Sequence, residues 1–240
     1  MKILKEYLFF IFFLTTITLK GQSIKEINTY VDSEIGIQNS YVFNGKIYIN
    51  PYKVLSKKNQ FLNYNTNYTK GSVTIQNITF KELELQYDLY SQEIIVKPDS
   101  KTSLYGIVAD TSKIERFTIY DLTFVNLKNT GTQNLNGYYE LSVDKAIPLY
   151  IKHKTNRYKL LDKNSVHFEF EPKYEYYIFN NDTYINVASK KDLIKIFPYF
   201  KKELKLFYSK NIYLEKNEPR EFMRKLILYT NKLKDVINEK

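Results

Sequence analysis

The chain of 240 residues has no cysteine and no tryptophan, and only two histidines, six prolines and seven glycines. Without cysteine no disulfide can cross-link the fold, no thiolate can act as nucleophile or zinc ligand, and no lipid can be carried on a cysteine. Burial of apolar surface, at about 25 cal/mol per Å², must hold the protein together. A chain of this length can bury enough to do so. The scarcity of glycine goes with the absence of any G-x-G-x-x-G or Walker sequence, and no G-x-S-x-G elbow occurs. His153 and His167 stand alone at a spacing that fits no structural zinc motif. Both lie in strand-like sequence (IKHKT, SVHFEF) and are read as ordinary surface or cross-strand residues. Asn180-Asn181-Asp182-Thr183 lacks the acidic ladder and closing Glu of a calcium loop and is read as a turn. No catalytic residue, cofactor or metal-ligand set is assigned.

Long apolar runs are also missing, except at the start. MKILKEYLFFIFFLTTITLKGQS has a basic end (Lys2, Lys5), an apolar core from Tyr7 to Leu14 and small residues near Gly21-Gln22-Ser23. That is the layout of a secretory signal peptide over 1–22. The core is diluted by Thr15, Thr16 and Thr18 before it reaches the roughly 20 apolar residues of a bilayer crossing. A retained anchor or a buried first helix is the alternative. Export without cysteine points to a bacterial periplasmic or secreted protein of the cell envelope that is not a lipoprotein.

Lys, Asn, Ile and Tyr are abundant, with 23 tyrosines and a net charge of +10. All four have A/T-rich codons, so a low-GC genome accounts for the bias, and the totals say little about partners. The distribution says more: residues 189–240 hold fourteen Lys/Arg against seven Asp/Glu, whereas 23–188 are nearly balanced.

From about 41 to 187 the pattern is that of strands. Asn44-Gly45 predicts a hairpin between Tyr41–Phe43 and Ile47–Ile49. Residues 53–70 are polar and read as an irregular connection. GSVTIQNITF predicts two strand pieces around Gln76-Asn77. LELQYDLYSQEIIVK (83–97) alternates from Leu83 to Leu89 and breaks at Ser91-Gln92-Glu93 before Ile94–Val96. Further short strands follow to about 187, separated by Asn-, Asp- and Gly-containing turns. The expectation is an α+β fold: a largely antiparallel sheet, sandwich or open barrel over 23–188, then a helical segment of two or three helices.

The tail changes period. Ser189 is a predicted N-cap with Asp192 three residues on. Pro198 is read as opening a second helix with Phe200, Leu204 and Phe207 on one stripe. Ser209–Asn211 ends it, and Ile212–Leu214 is read as briefly extended. Pro219 fits the first turn of a last helix, whose stripe is Phe222, Leu226, Tyr229, Leu233 and Val236.

Strand carboxylates could in principle form the facing pair of a glycosidase. The candidates are Glu84, Asp88, Asp121, Glu140, Glu169 and Glu175. Alternation puts Asp88 on the wet face with Glu84 and Gln86, its expected role a hydrogen bond into the following turn. The possible anionic-partner surface is Lys201, Lys202, Lys205, Arg220, Arg224 and Lys225 on the outward faces of the last helices. A solvated helix face is the plainer reading.

The segments FNGKIYINPY, GSVTIQNITFKELELQYDLYSQEIIVK, IERFTIYDLTF, FKKELKLFYSKN and REFMRKLILYTN resemble a family of uncharacterised exported proteins from the Bacteroidota. The Lys57–Gln60 stretch departs from it by lacking Gly and Pro. The resemblance implies export and a β-rich fold; it implies no activity, cofactor or site residue. The expected function is a non-catalytic envelope binding or structural module. Its partner would be an envelope protein, glycan or anionic lipid, and nucleic acid is not expected. The alternatives are a glycan- or ester-directed hydrolase using a carboxylate pair, and a peripheral binder of anionic lipid through the basic helices.

Overall fold

The computed structural model describes residues 41–98, 105–127, 135–162 and 165–238, so the leader over 1–22 lies outside them. Among the described residues the fold is α+β: eleven strands form one antiparallel sheet that does not close, and four helices follow. The strands are β1 (Lys46–Ile47), β2 (Thr69–Ile75), β3 (Ile78–Asp88), β4 (Glu93–Lys97), β5 (Ile107–Val108) and β6 (Ile114–Ile119). They continue with β7 (Leu122–Asn126), β8 (Tyr138–Val143), β9 (Leu149–Asp162), β10 (Ser165–Asn180) and β11 (Thr183–Asn186). The helices are α1 (Lys190–Ile196), α2 (Lys201–Lys210), α3 (Ile212–Asn217) and α4 (Pro219–Asn238). Spatial order is β1-β5-β4-β3-β2-β6-β7-β8-β9-β10-β11, so nearly every strand pairs with its neighbour in sequence.

Turn chemistry sets the registers. Gln76 and Asn77 (φ 51° and 64°) join β2 to β3, and Asn181 and Asp182 (φ 49° and 56°) join β10 to β11. Two consecutive left-handed residues make the primed turn whose twist matches an antiparallel pair. Pro172 sits inside β10 without harm. The N–H groups of Phe168 and Phe170 donate to Lys53 O and Lys58 O on the edge away from β9. Pro172, of the same parity, lacks its N–H on that edge and not in the β9 ladder.

Three expectations need correction. The Asn44-Gly45 hairpin does not form: Tyr41–Phe43 is a 3-10 turn, and β1 pairs with β5. A Cβ on Gly45 would collide with the Val108 carbonyl, so this glycine permits close strand approach and not a two-residue turn. Ile212–Leu214 is the start of α3, because Glu215 N–H bonds to Asn211 O and Glu218 N–H to Leu214 O; the helices therefore number four. The stripe on α4 also rotates: Phe222, Met223, Leu226, Ile227, Thr230 and Asn231 are buried, whereas Val236 is exposed.

The core has two main parts, beside a small cluster of Leu127, Leu135 and Tyr139. In the first half of the sheet Tyr87, Phe117, Phe124 and Tyr138 meet as an aromatic group, with Phe117 and Phe124 stacked at 4.7 Å and Tyr87 edge-on to both. Such pairs add about 0.5–1.5 kcal/mol beyond their buried area. In the second half Leu149, Ile151 and Ile178 of the sheet pack under Leu193, Leu204, Tyr208, Phe222 and Leu226 of the helices. Asn231 fastens α4 to the β8–β9 loop, accepting from Ile147 N–H (2.8 Å) and donating to Ile147 O (3.0 Å). Ser189 caps α1 as expected, with Asp192 receiving the Ser189 hydroxyl and the Ala188 N–H.

Candidate functional site

Three adjacent strands bring distant polar residues to the sheet face under the helices. Glu140 of β8 stands opposite Ile151 of β9, so both share that face. His153 lies two residues on from Ile151, on the same side. Tyr174 of β10 is the cross-strand partner of His153, and Tyr176 that of Ile151. The first turn of α4 lowers Arg220 onto this row. Its Nε and Nη2 donate to Glu140 Oε2 and Oε1 at 2.7 and 2.6 Å, a bidentate fork. His153 Nε2 lies 2.6 Å from Glu140 Oε2. An ionised carboxylate only accepts, so that nitrogen carries the proton.

Glu140 is 2 % exposed. Burial pushes its carboxyl upward, but hydrogen bonds and charge from His153 and Arg220 outweigh burial and hold it at about 2. The guanidinium of Arg220 is raised in turn by its bond to Glu140. The cluster joins sheet to helix: His153 is edge-on to Phe124 at 5.3 Å and to Tyr174 at 5.1 Å, where the two parts of the core meet.

Beside this cluster opens a cleft of about 550 Å³. Pro172, Lys173, Tyr174 and Tyr176 of β10 form one wall, and Asn217 to Glu221 at the α3–α4 corner form the other. The Tyr174 and Tyr176 rings lie side by side, 6.5 Å apart and inclined by 31°. The Tyr176 hydroxyl is buried and without a hydrogen-bond partner among the described residues. Burial raises its pKa far above the ordinary tyrosine value, so it remains a protonated donor at neutral pH. Arg220 reaches the same cleft while committed on one side to Glu140.

The six basic residues predicted from sequence divide. Arg220 is spent on Glu140. Arg224 forks onto Glu221 at 2.8 and 3.0 Å, and Lys225 lies 3.6 Å from the same carboxylate. Lys201, Lys202 and Lys205 are exposed on α2. Asp88 also needs correction: it is buried, 1 % exposed, not on a wet face. The irregular 57–67 segment covers that side of β3. Phe61 bridges to Asp88, Leu89 N–H donates to Gln60 O, and Gln86 donates to Asn65 O and Thr66 O. The expected turn bond is present: Asp88 accepts from Tyr90 N–H and Ser91 N–H, and from the Tyr48 hydroxyl. Burial raises its pKa, and those three donors moderate the rise. Of the two readings of His153, the cross-strand one holds: it is buried, opposite Tyr174 and bonded to Glu140 of the neighbouring strand, and is not at the surface.

A second buried cation lies on the opposite face. Lys152 Nζ donates to Asn136 O and Tyr138 O and sits 4.7 Å over the Tyr139 ring. Burial lowers its pKa to about 8, aided by nearby Lys154. Nothing in the one-dimensional pattern marks Lys152, and Glu140 stands there only as one of six strand carboxylates. Among the described residues no three His, Asp or Glu converge as a metal site would require, and no helix is long and apolar enough to cross a membrane. Set against protein-family models, curated proteins and solved structures, the chain matches none.

Proposed function

We propose that the protein is an exported envelope component that works by binding, and that the cleft between β10 and the α3–α4 corner receives a glycan segment. One observation carries this reading: two adjacent tyrosine rings face a polar wall at the α3–α4 corner. A sugar ring offers an apolar C–H face and a rim of hydroxyls. Stiff, amphipathic tyrosines suit the first, and Lys173, Asn217 and Glu218 suit the second. The cleft is within the usual size of a small-ligand site, roughly 300–1,000 Å³, though more polar than most.

Hydrolysis by a carboxylate pair is the weaker reading. That chemistry needs one protonated acid. Glu140 is held ionised, and Arg224 lowers the pKa of Glu221 against the opposing effect of burial. Export rests on the leader-like 1–22 segment. The test is an NMR titration of the purified protein with two soluble series, N-acetylglucosamine oligomers and uronic-acid oligomers. The expected result is saturable shifts at residues 172–176 and 217–221, abolished by Tyr174→Ala. No shift there with either series refutes the glycan reading, and release of shorter oligomers returns the hydrolase.

A further inference from the structure

The structure assigns a second interaction surface, independent of the cleft: the outward face of α2 and α3, which we infer docks on an anionic lipid surface. Residues 189–216 hold eight lysines against Asp192, Glu203 and Glu215. Asp192 is occupied by the α1 cap. Lys201, Lys202, Lys205 and Lys210 are exposed, and among the described residues no carboxylate pairs with them. On the first turns of α4, by contrast, Arg220 pairs with Glu140, and Arg224 and Lys225 share Glu221.

Charge alone would describe a solvated helix. The second observation is the apolar side chains among the lysines. Tyr199 is 91 % exposed, Tyr213 77 %, Ile212 63 % and Leu206 50 %. Lys202 and Leu206 lie one turn apart on α2, Tyr199 stands in the 3-10 turn before it, and Ile212 and Tyr213 open α3 beyond the non-helical Asn211. The inward stripe is already satisfied by Phe200, Leu204 and Tyr208, so the exposed residues are surplus to the core. Lysines beside tyrosine and leucine on an otherwise polar helix are the chemistry of an interfacial segment. The ammonium groups meet anionic headgroups, and the rings and aliphatic side chains enter the boundary. The described cleft is formed by other residues. A cation-rich face with scattered apolar side chains fits an anionic lipid surface.

The test is sedimentation of the purified full chain with vesicles of phosphatidylcholine alone and of phosphatidylcholine with phosphatidylglycerol. The expected result is binding only to the anionic vesicles, weakened by salt. Lys202→Glu with Lys205→Glu should lower partitioning about twentyfold or more. Leu206→Ser with Tyr213→Ser should weaken it on the same vesicles. Both pairs are exposed, so an unchanged melting temperature checks the fold. Arg224→Glu with Lys225→Glu serves as the control and should have a much smaller effect. Equal binding to both vesicle types, no loss on reversing Lys202 and Lys205, or an equal loss in the control overturns the proposal. So does binding to polyglutamate or heparin without binding to anionic vesicles, which would point to a macromolecular polyanion.

Discussion

Replacing Glu140 by glutamine tests the centre of the fold. The perturbation removes one negative charge and leaves the Arg220 guanidinium and His153 facing a neutral amide. The carboxyl is held at about 2 against an ordinary 4.5. At about 1.4 kcal/mol per pH unit, that difference makes ionised Glu140 worth ~3 kcal/mol of folding stability. The usual cost of removing one partner from a buried ion pair, about 3–5 kcal/mol, agrees. For a chain of this size the melting temperature should fall by roughly 6–12 °C. The pH dependence follows from the depressed value. Between about 2 and 4.5 the unfolded chain binds the proton that the folded chain refuses. The stabilisation is therefore complete above about pH 4.5 and is lost as pH falls toward about 2. Urea unfolding of the wild type and Glu140→Gln at several pH values from neutral to acid measures both effects. The wild type should lose the increment on acidification, and the variant should show a flatter profile. Adding Arg220→Met should recover part of the loss, since it removes the orphaned charge. A variant within about 1 kcal/mol of the wild type at neutral pH, or an unaltered acid slope, would refute the reasoning.

Lys152→Met should be close to neutral at neutral pH, because the loss of a buried ammonium with no carboxylate in hydrogen-bond reach offsets the two carbonyls it leaves unpaired. Since the folded pKa of Lys152 lies near 8 and below the unfolded value, wild-type stability should rise from pH 8 toward 9.5, and the variant should lack that rise in denaturant titrations. Asp88→Ala should cost roughly 2–4 kcal/mol by leaving Tyr48, Tyr90 and Ser91 donors unpartnered, and Asp88→Asn should cost less, both read by chemical unfolding. Phe124→Ala should cost about 3–5 kcal/mol in the same assay, as it empties the space between Tyr87, Phe117 and His153. Ser189→Ala should cost about 1 kcal/mol by loss of the α1 cap, seen as a lowered melting temperature.

By itself the sequence determined what depends on near neighbours. Alternation from Leu83 to Leu89 marked β3, Gln76-Asn77 marked the break between two strand pieces, Ser189 marked a cap and Pro219 marked the first turn of the last helix. Each is a local preference of backbone or side chain, and each survives in the folded protein. What alternation could not say is whether the second face of a strand meets water. Asp88 and Gln86 stand on the polar phase of β3, yet a segment some twenty residues earlier closes over them. Likewise Glu140, His153 and Arg220 come from β8, β9 and α4, and only strand register and helix docking put them within hydrogen-bond reach. The same docking spends Arg220 on a buried carboxylate while the lysines of α2 stay in solvent. Charge and polarity are properties of the residue, but burial and partnership belong to the assembled surface. For this reason most strands and helices were legible along the chain, and the ion cluster and the cleft were decided only in three dimensions.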